Sequence, residues 1–247
     1  MNVMREGDGK ERSATHDCYL RLRELIVTGA MPPGKKLKIE DLRGILKTGA
    51  SPVREALSLL TSDMLVERLD QRGFRAAPVS KANFEEILTL RCTLEDMALR
   101  ASIGNADAAW EDNLVLCHHR MTQAKKRGAG DFETTHKAFH MALLQNAGLP
   151  MLERYCAQLY DLNIRYRYLA SGQSSYGKRS IEAEHLSIFN AALDRDAEAA
   201  SAALLDHYRK TGRYLSGQME GCAWGPPRDD TAPRGADGCG CGHRGRW

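Results

Sequence analysis

The sequence predicts a mainly α protein: an N-terminal unit of three short helices closed by a β-ribbon, then an antiparallel all-α helical bundle. Three observations carry this. Apolar residues recur at helical spacing over nearly all of the chain beyond Pro78. The breaks between those stretches are short: Gly104-Asn105, Gly128-Ala129-Gly130, Gly148 with Pro150, Gly172 and Asp194. Only 6% of residues are aromatic and hairpin turn pairs are scarce, which argues against an all-β fold.

Residues 1–13 are polar and expected to be disordered. A helix starts near position 14, carried by Tyr19, Leu22, Leu25 and Ile26, and ends at Gly29 with Pro32, Pro33 and Gly34. A second covers roughly 39–46, with Leu42, Ile45 and Leu46 on one side. Thr48-Gly49-Ala50-Ser51 reads as a tight turn. Ser51 is placed as an N-cap, Pro52 at the first helical position, and Glu55 as the residue closing a capping box. Val53, Ala56, Leu57 and Leu60 then face a core, leaving Ser51, Arg54 and Ser58 outward. Met64-Leu65-Val66-Glu67 and Phe74-Arg75-Ala76-Ala77, joined by Asp70-Gln71-Arg72-Gly73, read as a two-stranded ribbon. Helix, helix, turn, helix, ribbon is the order of a winged helix-turn-helix domain, over 14–79.

Pro78 marks its end. Helices are expected over 81–104, 107–127, 131–147, 150–170, 178–194 and 196–216, forming a bundle over 80–215. The stretch 216–247, with Pro226, Pro227, Pro233 and many glycines, reads as a disordered tail.

Composition narrows the function. With 43% apolar and 27% charged residues, the chain is a globular type. No apolar run approaches the length of a membrane span, and the first twenty residues lack a secretory core, so a cytoplasmic location without membrane contact is expected. The cysteines number seven, and four of them sit singly in apolar patterns, as reduced thiols do. Residues 1–80 hold 14 Lys/Arg against 11 Asp/Glu, and the remainder is balanced at 21 of each. The whole excess of +3 therefore sits in the first third, although an excess that small does not establish nucleic-acid binding alone.

The second helix of a helix-turn-helix fits the major groove, where base edges are distinguishable. Here Arg54 could reach a guanine edge, with Ser51 and Ser58 beside it. Lys35, Lys36, Lys38 and Lys47 are placed for phosphates, and Arg72 and Arg75 on the wing for a minor groove or backbone. The same order of elements also occurs in protein-binding domains.

Four of the eight histidines form a pattern. His136 and His140 share a helix face at i,i+4. His185 and His207 flank Asp194-Arg195-Asp196, each about eleven residues away, so an antiparallel hairpin sets them level. Three helices could thus aim four imidazoles at one point. Such a set suits a divalent metal ion, zinc or nickel foremost, with copper or iron also compatible. The plain alternative is four separate, partly buried polar residues. Arg91 and Glu95 are spaced for an i,i+4 surface pair. Arg165 and Arg167 could face a cavity or a dimer contact. His118 and His119 are adjacent and point to different faces. Cys239, Cys241 and His243 lie in the glycine-rich tail and are weak ligand candidates.

Leu46 to Leu57, LKTGASPVREAL, resembles the turn and recognition helix of GntR-family bacterial transcription regulators, and GAMPPGKKLKIEDL and LVERLDQRGFRAAPVS match the same domain. The helical remainder is similar to the FCD-type ligand-sensing domain of the FadR subfamily. The resemblance covers about 14–215. It implies a homodimeric repressor or activator in the bacterial cytoplasm, associated with the nucleoid, that binds a double-stranded DNA operator and answers a small organic-acid effector. Many relatives carry Ser-Arg-Thr where this chain has Gly49-Ala50-Ser51, so the usual DNA-contacting Arg is Ala50. Metal-binding sensor domains of this kind carry Asp-x-x-x-His and two later histidines. His140, His185 and His207 match, while His136 holds the Asp position. In relatives the residue matching Arg91 faces the cavity and holds a carboxylate. A metal-dependent hydrolase or lyase using the histidines, and a bundle that mainly binds protein, are the competing functions. No carboxylate is clearly placed as a general base, although Glu184 adjoins a ligand, and an enzyme would leave the DNA-reading unit unexplained.

Overall fold

The computed structural model describes residues 13–70, 72–127, 132–170 and 180–220. The first unit comprises α1 (Ala14–Val27), β1 (Lys36–Leu37), α2 (Ile39–Leu46), α3 (Ala50–Ser62), β2 (Val66–Leu69) and β3 (Gly73–Ala76). Ser13 caps α1 by accepting the His16 N–H. Leu22, Ile26, Val53, Ala56, Leu57 and Leu60 are fully buried and join α1 to α3. Short α2 buries only a narrow stripe at Leu42, and Ile45, expected beside it, is exposed.

The start of α3 differs from the expected one. Gly49 is its extended N-cap, so Ser51 and Pro52 are the second and third helical residues. Proline is tolerated there because first-turn N–H groups have no helical partner. The Ser51 hydroxyl donates to Glu55 Oε1 at 3.1 Å and Thr15 donates to Glu55 Oε2 at 2.8 Å. Glu55 thus ties α3 to the start of α1 instead of closing a box. The turn is Lys47–Gly49, with Lys47 left-handed at φ 51°.

The ribbon is a three-stranded antiparallel sheet in the order β1-β3-β2. Lys36 pairs with Arg75, which pairs with Glu67. Two-residue β1 is too short to show a periodicity, and the expected ribbon lacked it.

Beyond Pro78 run α4 (Lys81–Gly104), α5 (Ala108–Arg127), α6 (Phe132–Leu144), α7 (Pro150–Ala170), α8 (Ile181–Leu193) and α9 (Ala197–Glu220). These follow the expected spans except at three ends, one being α8, which starts at Ile181 behind its cap Ser180 and not at 178. α6 stops early, where a turn leads to left-handed Gly148, and α9 runs past residue 216, where the tail was expected to begin. Cys239, Cys241 and His243 fall outside the described residues. Leu99, Leu114, Phe139, Leu143, Ile188 and Leu204 build the bundle core. The α8–α9 hairpin turns at left-handed Arg195, which pairs with Glu111 at 2.6 Å.

Helix α7 bridges the two units. Its Gln158 donates to the Ser62 carbonyl at the end of α3 at 3.1 Å, and Asp161 pairs with Arg23 of α1. Arg165 donates to the Ala77 carbonyl at 2.6 Å, and Tyr166 donates to Asn83 at 2.7 Å. Cys18, Cys92, Cys117 and Cys156 are free thiols, and no described helix is long and apolar enough to cross a membrane.

Candidate metal centre and nucleic-acid interface

The outward face of α3 carries Ser51, Arg54 and Ser58, all exposed, opposite buried Val53, Ala56 and Leu57. Lys35, Lys36, Lys38, Lys47 and Arg72 are exposed as well. Three of the expected DNA contacts are already engaged, among them Ser51, whose hydroxyl donates to Glu55. Arg75 is half-buried in an ion pair with Glu67 at 2.6 Å, and the Ser58 hydroxyl donates to the Arg54 carbonyl at 3.0 Å. Each must leave a partner to meet a phosphate or a base.

The histidines converge. α6 brings His136 and His140, α8 brings His185 and α9 brings His207; one ligand nitrogen from each lies within 4.8 Å of every other. All four are buried. The hairpin sets His185 and His207 level, with ring centroids 4.6 Å apart. Nitrogens on opposite sides of a metal with bonds of about 2.1 Å lie about 4.2 Å apart. A set spanning up to 4.8 Å must close by about 0.6 Å at its widest for such a pair, and further around a tetrahedral ion.

The outward nitrogens of three rings are tethered. His136 Nδ1 meets the Tyr160 hydroxyl, His140 Nδ1 meets the Tyr208 hydroxyl at 3.0 Å, and His207 Nδ1 meets Glu184 Oε2 at 2.8 Å. Tyr208 in turn donates to Glu95. This outer layer turns Nε2 of those rings toward the common space, as in metal-ligating histidines. There, His136 Nε2 and His185 Nε2 lie 3.2 Å apart, while His140 Nε2 is buried without a partner among the described residues. A buried unpaired nitrogen is costly, and a cation at this point satisfies it. The donor set fits a divalent ion.

Burial depresses the imidazoles first, and neighbouring rings and arginines add to it. His136 and His140 lie well below their usual range and His185 falls to about 2. All three are neutral, the form that ligates.

Arg91 and Glu95 form the i,i+4 pair anticipated for a surface, but in the interior. Nε and Nη2 of Arg91 donate to Glu95 at 2.6 and 3.4 Å, and Nη1 donates to Asn163 at 2.9 Å. The guanidinium also lies 4.2 Å from the Tyr208 ring centroid. Arg91 nonetheless lines the same cavity as His136, His140 and His207, a space of about 30 Å³ that holds little more than one water. Arg167 lines it too and pairs with Glu133 at 3.1 Å, whereas Arg165 faces the junction with the first unit. His118 stacks on Phe189 at 4.2 Å and packs on Phe139, and it is not one of the four converging histidines. Tyr160 and Asn163 carried no sequence signal, because α7 brings no histidine to the cluster, whereas Tyr208 directly follows His207 but meets His140 on α6 and Glu95 on α4.

Known proteins share this organisation. Residues 15–75 match the bacterial regulatory proteins of the gntR family and residues 86–210 match the FCD domain. The HTH-type transcriptional regulator BphR of Paraburkholderia xenovorans is 35% identical over 203 residues, covering 79% of this chain and 82% of its own. The HTH-type transcriptional repressor GlaR of Escherichia coli is 28% identical, over 77% of this chain and 90% of its own. The structure of Escherichia coli McbR/YncC superposes with a TM-score of 0.72 at 23% identity, covering 84% of this chain and all but 1% of that one by its 99% coverage. These relatives are regulators, and the hydrolase or lyase reading is set aside on that ground.

The depressed imidazoles make a stability prediction for metal-free protein. In the unfolded chain each ring takes up a proton near pH 6.5, whereas the folded protein excludes it. Above that pH both states are neutral and the rings add no slope. Below it stability should fall by up to about 1.4 kcal/mol per pH unit for each of the three rings. Urea midpoints in chelator, measured from about pH 7.5 to 5.5, check this, and His185→Gln should flatten the decline. A profile indifferent to pH would mean that the rings are not held neutral.

Proposed function

This chain belongs to the bacterial gntR family of regulatory proteins and carries an FCD domain, and we propose that it is a homodimeric, metal-dependent sensor of a small carboxylate. Regulators of this family bind DNA operators. In the proposal, residues 14–79 read the operator, 80–215 sense the effector and dimerise, and the protein works at the nucleoid in the bacterial cytoplasm. Two copies are needed because an operator of two half-sites calls for two recognition helices.

The observation that carries the metal is the buried His140 Nε2 among three further imidazoles. His136, His140, His185 and His207 would hold a divalent ion, zinc or nickel, which when bound supplies a positive site for an anion. The surrounding charges support that reading. Arg91 is offset by Glu95 and Arg167 by Glu133, while Glu184 holds His207 Nδ1. Imidazole ligands bring no negative charge of their own, so the charge left for a carboxylate exceeds that of a site with an aspartate at position 136. Arg91 commits three hydrogen bonds to Glu95 and Asn163, out of the five a guanidinium can donate, leaving two for the effector.

The small cavity makes effector binding a conformational event. A space of about 30 Å³ cannot take an ion and an organic acid together, so the lining must move. Part of that lining is α7, whose Tyr160 touches His136 and whose Asn163 touches Arg91. The same helix holds α1, the end of α3 and the linker through Asp161, Gln158 and Arg165. Movement of α7 is the proposed route by which the acid alters the operator-bound geometry. A coupling of about 1–3 kcal/mol suffices.

Two predictions test the reading. On DNA from upstream of the chain's own gene, Arg54→Ala should weaken specific binding by about 1–3 kcal/mol and relax one base position. Lys47→Ala should weaken all DNA alike and lower the salt slope by about one. Unchanged operator affinity in Arg54→Ala at fixed salt would displace α3 as the reading helix. For the effector, Arg91→Ala is a poor probe, because stranding buried Glu95 costs about 3–5 kcal/mol. Arg91→Lys keeps a cation but loses the planar fork. It should bind operator normally and lose the response to mono- and dicarboxylates in a gel shift. A full response in Arg91→Lys, or a response to a neutral compound alone, would remove Arg91 from the effector site.

A further inference from the structure

A second charged group remains unexplained, away from the histidines. Arg165 of α7 is only 3% exposed. One hydrogen bond is recorded for its guanidinium, to the Ala77 carbonyl, and its Nε has no partner among the described residues. Glu95 neutralises Arg91 and Glu133 neutralises Arg167, but no carboxylate of the described residues faces Arg165. Burial lowers its pKa to about 10 with only Tyr166 acting against it. A buried guanidinium without an anion is costly, and the fold places this one in a cleft.

That cleft lies between α4, α7, the linker after β3, and strand β2, and measures about 800 Å³, within the range of small-molecule sites. Ile87, Leu90 and Leu162 give it an apolar wall; Asn83 and Tyr166 lie near the linker. Its other charges do not supply the missing anion. Glu67 is paired with Arg75, Arg68 adds a positive charge, and Glu86 lies on exposed surface, where it disfavours ligands of high negative charge.

We propose that this junction cleft is a second ligand site, for an amphipathic monocarboxylate whose head group pairs with Arg165 and whose hydrocarbon lies on Ile87, Leu90 and Leu162. The assignment is independent of the metal and of Arg91. Such a ligand touches the sensor helices, the linker and the wing at once. Its occupancy therefore bears on how the DNA-reading unit is held, as an input separate from the histidine cavity.

Calorimetry on the full chain in chelator, with benzoate as probe and neutral benzamide as control, tests the site. One saturable benzoate site per chain is expected, with benzamide weaker by at least about tenfold. Arg165→Gln should lose benzoate by a similar factor, and Arg91→Lys should retain it. Should Arg165→Gln not fold, Leu90→Glu serves instead. Leu90 is 43% exposed, so the protein should fold, and the added charge should repel the carboxylate by at least about tenfold. Absence of binding would overturn the proposal. So would benzoate binding that survives both Arg165→Gln and Leu90→Glu, or that requires metal or Arg91.

Discussion

Four buried imidazoles share one small space, and the middle of the helical bundle is organised by what they need. Each ring has two nitrogens, and neither can be left bare inside a protein without cost. Tyr160, Tyr208 and Glu184 take the outer nitrogens of three rings. Those partners come from α7, α9 and α8, so the requirement of one cluster draws separate helices together. Glu95 and Arg91 extend the same chain of contacts, from His140 through Tyr208 into α4. Of the inner nitrogens, His136 Nε2 meets His185 Nε2 at 3.2 Å, and His140 Nε2 has no partner among the described residues.

Helix α7 links this local requirement to the first unit. One side reaches the cluster and Arg91 through Tyr160 and Asn163; the other reaches Arg23, Ser62 and Ala77. A rigid helix fastened at both sides cannot adjust to one without disturbing the other. The apolar core agrees, since Leu159 and Tyr166 belong to the same buried cluster as Leu22 and Leu57.

Much of this was legible in the sequence where the controlling physics is local. Helical periodicity located the elements, and glycine and proline located their ends. The i,i+4 pair on α6 and the symmetric spacing about Asp194-Arg195-Asp196 foretold the meeting of His136, His140, His185 and His207, because helix and hairpin geometry set it. What depended on packing between distant segments stayed hidden. Tyr160 and Asn163 have no spacing that ties them to the histidines, and Tyr208, although next to His207, meets His140 across the bundle. The Arg91–Glu95 pair was readable, but its burial follows from the packing of α4 between α7 and α9. The start of α3 was misplaced because Gly49 and Ser51 are both good caps, and the bond from Thr15 to Glu55 reaches across from another helix. Arg165 and Arg167 were indistinguishable until the orientation of α7 was known.

The central claim is that these histidines hold a metal. Elemental analysis of protein purified with added zinc or nickel, alongside melting with and without chelator, tests it most directly. The account predicts one divalent ion per chain and a lower melting temperature in chelator, since an ion that binds only the folded state stabilises it. It also predicts that His185→Ala loses both the ion and most of that increment, while His118→Ala changes neither. Protein that holds no stoichiometric metal after supplementation, and melts identically with and without chelator, would contradict it.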